Sequence, residues 1–137
     1  EMFGDIWGRY RKVALVRNPF DRALSLYSYM LLAPGHAPHR RFCLESFGEF
    51  IRCDAFIKGE YISAAQYEYV RSGDVEIFKL EDLSKNWPLI SESLGLDGNS
   101  VIIHKNRSNS EKYALSEGDK DVLRNIWRED FENLGYD

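Results

Sequence analysis

Only two cysteines, Cys43 and Cys53, occur in 137 residues, ten positions apart. Neither the close pairing of a zinc site nor the density of a disulfide scaffold is present, so both are expected to be reduced and structural. No apolar run approaches the ~20 residues that cross a bilayer, and the N-terminus carries no charged-then-apolar targeting pattern. A G-x-x-x-x-G-K-S/T loop, the usual backbone cradle for a β-phosphate, is absent. So are internal repeats and low-complexity tracts. Positive charge is not in excess: a net charge of −4 disfavours general nucleic-acid binding. His36 and His39 stand three apart in a Pro/Gly-broken loop, Ala33 to Arg41, with no third ligand evident, so no metal is expected.

What is there suits one globular domain spanning residues 1–137. Hydrophobic residues at 44% and aromatics at 14% are ample for a core, and a chain of this length buries roughly two thirds of its unfolded surface. Charge is spread unevenly. Arg9, Arg11, Lys12, Arg17 and Arg22 against Asp21 make the first part locally basic, while the second half is acidic. A basic pocket on an acidic protein suits a small polyanion, although a solvated face explains Arg9, Arg11 and Lys12 equally well.

The most informative stretch is Lys12 to Tyr27, KVALVRNPFDRALSLY. Lys12 to Val16 is a short apolar run fit for the buried middle of a parallel sheet. Asn18 supplies a helix N-cap, and Pro19 sits at the first helical position, where its missing N–H costs nothing. The helix is expected to run to about Leu32, with Phe20, Leu24, Tyr27 and Leu31 as its core stripe. Ser25 lies off that stripe, about 140° around the helix from Phe20. Free amides of the first turn, the positive end of the helix dipole and the Arg17 guanidinium would then face one pocket, with the Ser25 hydroxyl adding a bond to whatever Arg17 holds. Phosphate or sulfate is the natural guest. Taken singly, an arginine after a strand is often a salt-bridged scaffold residue and a helical serine is often merely solvated.

Arg17-Asn18-Pro19-Phe20-Asp21-Arg22, followed by Ser25 and Tyr27, resembles the 3′-phosphate motif of sulfotransferases, R-N-P-F/Y-D-R then S-x-Y, especially in the carbohydrate sulfotransferase-like branch. Further segments agree in order. Val75 to Leu83 is similar to the family's second strand with its Glu-Asp-Leu ending, Trp87 to Leu96 to the helix after it, and His104 to Ser108 to its H-x-N-x-S loop. Asp130-Phe131 with Leu134-Gly135-Tyr136 is similar to its D-F…G-Y ending.

The resemblance implies a three-layer α/β fold of the P-loop-NTPase-like sulfotransferase kind, with a mainly parallel sheet. It also implies 3′-phosphoadenosine 5′-phosphosulfate as co-substrate and sulfuryl transfer to an acceptor hydroxyl, carbohydrate included. Arg17 and Ser25 would grip the donor's 3′-phosphate, and Lys105, Asn106 and Ser108 would contact the donor. The loop of His36 and His39 would lie toward an anionic or sugar acceptor. Gln66 occupies a place where the family often has glutamine, and is a weaker site candidate.

The family's upstream P-K-x-G-G/T-S/T loop, which binds the 5′-phosphosulfate, is not found in these residues. The expectation is therefore a fold incomplete at its N-terminus, with no catalytic residue assignable. Exposed apolar surface at the sheet, or pairing with another chain such as a homo-oligomer, would follow. The alternative function is a noncatalytic nucleotide-binding or interaction module on the same fold. Localisation would be cytoplasmic for a bacterial parent and the Golgi lumen for a eukaryotic one.

Several structural expectations complete the reading. Glu45 to Lys58 reads as one helix capped by Ser46, burying Phe47, Phe50, Ile51 and Phe56. Val75 to Leu80 reads as a strand, with Glu81-Asp82 capping the next turn or touching substrate. Asn86 and Pro88 open a helix that Gly95 closes in a left-handed conformation. Ser100 to Ile103 reads as a strand. Ser116 and Asp119 start the last helix, with Val122, Leu123, Ile126 and Trp127 on one face and Phe131, Leu134 and Tyr136 sealing the core.

Overall fold

The computed structural model describes residues 8–32, 40–97 and 113–137. The elements in order are β1 (Val13–Val16), α1 (Pro19–Leu32), α2 (Phe47–Arg52), α3 (Asp54–Ile57) and α4 (Gln66–Val70). They are followed by β2 (Glu76–Lys79), a 3-10 turn at Leu80–Asp82, α5 (Leu83–Ser93), α6 (Glu117–Ile126) and α7 (Arg128–Leu134). The strand expected at Ser100 to Ile103 and the loop of Lys105, Asn106 and Ser108 lie outside the described residues, as do His36 and His39.

β1 and β2 pair in parallel, with Val13 opposite Glu76 and Val16 opposite Lys79. Strand alternation puts Ala14 and Val16 on one face, where they pack with Val70, Leu134 and Tyr136 of α4 and the α7 end. Glu76 points to the other face and accepts a hydrogen bond from Ser93 of α5 at 3.2 Å. Helices thus cover the parallel pair on both sides, the α/β layering expected of the fold. The strands are less buried than the apolar run predicts. Only Val16 is fully enclosed, while Leu15 is 48% and Ile77 41% exposed, because a sheet of two strands among the described residues leaves each strand an open edge.

The main core lies among the helices. Phe50, Phe56, Met30, Ile51, Leu123 and Trp127 are essentially solvent-free. α1 buries more than a stripe: Ala23, Leu24, Leu26, Tyr27, Ser28 and Met30 are all enclosed, whereas Leu31, assigned to the core from its spacing, is 38% exposed. A helix packed against both α2 and α6 is buried over most of its circumference, and its tail then projects past them.

Two helix boundaries differ from expectation. The single helix read over Glu45 to Lys58 is broken at Cys53, which is extended (φ −72°, ψ 151°) and donates its thiol to the Phe50 carbonyl. The break swings Phe56 edge-on to Phe50 at 5.0 Å between centroids, and Phe56 in turn meets Trp127. Ser46 does cap α2, accepting from the Glu49 amide. α5 starts at Leu83 rather than at Asn86, because the 3-10 turn after β2 runs straight into it; Pro88 lies inside the helix. Gly95 takes the left-handed conformation (φ 65°), as read.

α6 begins as the sequence indicates. Ser116 Oγ accepts from the Asp119 amide, and the Asp119 carboxylate reaches back to the Ser116 backbone. Asp119 also receives Arg52 Nη1 at 2.6 Å, tying α6 to α2. Burial works against its charge, but the hydrogen bonds from Ser116 and Arg52 outweigh it and hold its carboxyl below the usual aspartate range. Ser116→Ala is expected to cost about 1 kcal/mol of stability by urea denaturation at neutral pH. A carboxyl with depressed pKa stabilises above its unfolded value and loses that contribution as pH falls through the folded value. The stability gap between wild type and Asp119→Ala is therefore expected to close progressively below about pH 4.

Candidate functional site at the end of the first strand

β1 ends at Val16, and the chain turns into α1 through Arg17 and Asn18. Both backbone groups of Arg17 are held by one side chain: its N–H donates to Gln66 Oε1 and its carbonyl accepts from Gln66 Nε2, each at 2.8 Å. The Asn18 N–H donates to Glu81 Oε1 at 2.6 Å. Asn18 Oδ1 folds back over the first turn, accepting from the amides of Phe20 at 2.9 Å and, more weakly, Asp21 at 3.4 Å. The Arg22 amide closes the first helical bond to the Asn18 carbonyl.

This corrects the expectation that free first-turn amides face the ligand. Asn18 caps them internally, and parallel pairing brings Glu81, just past the end of β2, against the one amide left over. Glu81 acts as this cap rather than at the next helix, and its second oxygen accepts from the Tyr136 hydroxyl at 3.2 Å. Burial, reinforced by the Glu81 charge, pushes the Tyr136 phenol far above its ordinary range, so it stays a donor. Asp82 precedes α5 without a side-chain capping bond.

The cations of the motif then separate by partner. Arg11 Nε meets Glu76 at 2.8 Å and Lys12 Nζ meets Asp74 at 3.0 Å, both on the surface. Arg22 turns inward: Nη2 donates to the carbonyls of Ile62 at 2.6 Å and Ala64 at 2.8 Å, and the guanidinium lies over the Trp127 ring at 4.6 Å. Its Nη1 stands 3.9 Å from the fully buried Asp130 carboxylate. Burial lowers the Arg22 pKa, with Asp130 pulling the other way.

Arg17 is different. Among the described residues its guanidinium takes part in no ion pair or side-chain hydrogen bond, and neither does the hydroxyl of half-buried Ser25. Ser25 lies seven residues beyond Asn18, nearly two full turns, so it falls roughly on the face that carries the cap and about 10 Å along the axis.

Two contributors had little weight in the sequence. Gln66, at the start of α4, is set by the turn before it, where Gly59 (φ +68°) admits Ala64 with 3.1 Å to where a Cβ would stand. Asp130 carried a readable signal: it falls on the stripe of Leu123, Trp127 and Leu134, a charged residue at a core position. It accepts from the Tyr67 amide at 2.7 Å and from Gln66 Nε2 at 3.3 Å. Among the described residues no cluster of His, Cys, Asp or Glu could hold a metal ion, and no helix is long and apolar enough to cross a membrane.

An apolar strand, an Asn-capped helix with Pro19 first, an arginine between them and a serine two turns on are thus assembled in the order in which the sequence motif presents them. The sequence model of the sulfotransferase family matches residues 3–137, and the chain belongs to that family. No curated protein and no solved structure matches it.

The two motif arginines have opposite structural standing. Arg22→Ala strips two carbonyls of their donor and leaves Asp130 without its counter-charge, and is expected to cost about 3 kcal/mol. Arg17→Ala is expected to change stability by no more than about 0.5 kcal/mol. Urea denaturation of the two variants side by side measures the contrast.

Proposed function

We propose that this chain carries the 3′-phosphate-binding part of a sulfotransferase that uses 3′-phosphoadenosine 5′-phosphosulfate, with Arg17 and Ser25 as the phosphate ligands. The observation that carries the reading is selective: among the described residues the guanidinium of Arg17, between strand and helix, has no ion-pair or hydrogen-bond partner, whereas Arg22 Nη2 donates to two carbonyls and its buried Nη1 faces Asp130 at 3.9 Å without a hydrogen bond. A guanidinium offers paired donors that match a phosphate's oxygens, and a hydroxyl can add one more bond. The end of a parallel strand is also where α/β folds present ligands.

When bound, the donor supplies an electrophilic sulfuryl group, and adenosine 3′,5′-bisphosphate is what departs. Arg17 and Ser25 would anchor the nucleotide and so position that group, without taking part in the bond changes. Because Asn18 and Glu81 occupy the first-turn amides, binding at this end relies on side chains rather than on the helix terminus. Lys105, Asn106 and Ser108 are proposed as further donor contacts on the strength of the motif they resemble. The form of the Arg17 to Tyr27 motif, which resembles the carbohydrate sulfotransferase-like branch, favours a carbohydrate hydroxyl as acceptor.

Calorimetric titration with adenosine 3′,5′-bisphosphate and with adenosine 5′-phosphate isolates the 3′-phosphate. Losing charge-assisted bonds worth about 1.5–3 kcal/mol, Arg17→Ala is expected to weaken the bisphosphate about 10- to 100-fold. Adenosine 5′-phosphate binding is expected to stay nearly unchanged. Ser25→Ala is expected to act in the same direction by about 5-fold. Equal losses for both nucleotides would contradict the assignment.

A further inference from the structure

The Arg17 main chain is gripped in an unusual way. One side-chain amide satisfies both its N–H and its carbonyl, as a neighbouring strand would, at the point where β1 leaves the sheet. The orientation of that amide is not free. Gln66 Nε2 also faces Asp130 Oδ2 at 3.3 Å, and a carboxylate accepts only, so the nitrogen must lie on that side and the oxygen must face the Arg17 N–H. Asp130 is fixed in turn by the Tyr67 amide at 2.7 Å and by the charge of Arg22.

We propose that Gln66 and Asp130 are positioning residues for the 3′-phosphate site: the buried Asp130 carboxylate locks the Gln66 amide in the one orientation that holds the Arg17 backbone, and so aims its guanidinium. The proposal rests on the reading of Arg17 as the phosphate ligand. A long side chain with no partner among the described residues is aimed chiefly by the backbone that bears it. Fixing that backbone on both sides lowers the entropy lost when the guanidinium closes on its anion. The chain of contacts also links the two motif arginines. Arg22 neutralises Asp130, Asp130 orients Gln66, and Gln66 sets Arg17.

Asp130→Asn is the informative variant. Its oxygen can keep the Tyr67 bond, but its amide then presents N–H to Gln66 Nε2, donor against donor. The bond that braces Gln66 Nε2 from behind is then replaced by a repulsive contact, and the amide loses its third anchor and holds the Arg17 backbone less firmly. Gln66→Met keeps the volume, removes both bonds to the Arg17 backbone and leaves Asp130 paired with Arg22 and Tyr67.

The test titrates wild type, Gln66→Met, Asp130→Asn and Arg17→Ala with adenosine 3′,5′-bisphosphate and adenosine 5′-phosphate, with melting temperature recorded for each. In wild type the bisphosphate is expected to bind more tightly. Each positioning variant is expected to lower that preference about 10-fold, corresponding to ~1.4 kcal/mol, while adenosine 5′-phosphate changes less than about 2-fold. If Asp130→Asn does not fold, Gln66→Met decides alone. A lower melting temperature with the preference intact would mean a purely structural role and would overturn the proposal while leaving Arg17 in place. Wild type without any preference for the bisphosphate would overturn the site reading and this inference with it.

Discussion

A carboxylate removed from water must find donors, and that of Asp130 organises this molecule around the search. The penalty for an unpaired buried charge is several kcal/mol, so the groups that meet it are held as firmly as any apolar contact. They come from three places: the guanidinium of Arg22 on α1, the amide of Tyr67 on α4 and the side chain of Gln66 beside it. α7 is thereby fastened to α4 and α1 through one polar point inside an otherwise apolar junction. Trp127 completes that junction by stacking under Arg22 and donating its indole N–H to the Ser63 carbonyl.

The same point governs the strand-to-helix turn. Parallel pairing carries the ends of β1 and β2 side by side, and the residues just past them, Arg17 and Glu81, share the space. Glu81 is drawn onto the Asn18 amide, which leaves this corner with an exposed carboxylate close to the helix cap. Two features that each suit anion binding, a positive helix end and a basic motif, are thus uncoupled: the amides of the helix end are used by the fold, while among the described residues the Arg17 guanidinium is not.

Much of this was legible before any coordinates. The start and length of α1, the β2 strand, the cap at Ser46, the capping box at Ser116 and the left-handed Gly95 all depend on residues within a few positions of one another. Spacing and side-chain type are enough to specify such local features. The breaks were less visible. Cys53 interrupts a helical pattern because tertiary packing of Phe56 against Phe50 and Trp127 outweighs continuing one helix. α5 swallows the Asn86-Pro88 start signal because the turn after β2 had already launched the helix. Arg17 and Ser25 could be chosen from motif spacing, and Gln66 and Asp130 could be noticed, one by its place in the family pattern and the other as a charge on a core stripe, but what they hold could not be read, since it lies in contacts spanning 49 and 64 residues.

The amino-acid order alone settled which residues form the strand, the cap and the helix after it, and placed an arginine and a serine at fixed intervals around them. Those are short-range matters, decided by backbone propensity and the 3.6-residue turn. It did not settle which of two motif arginines is structural. That depended on which one met a buried carboxylate arriving from the far end of the chain, and only the assembled core brings Asp130 within reach of Arg22 and not of Arg17.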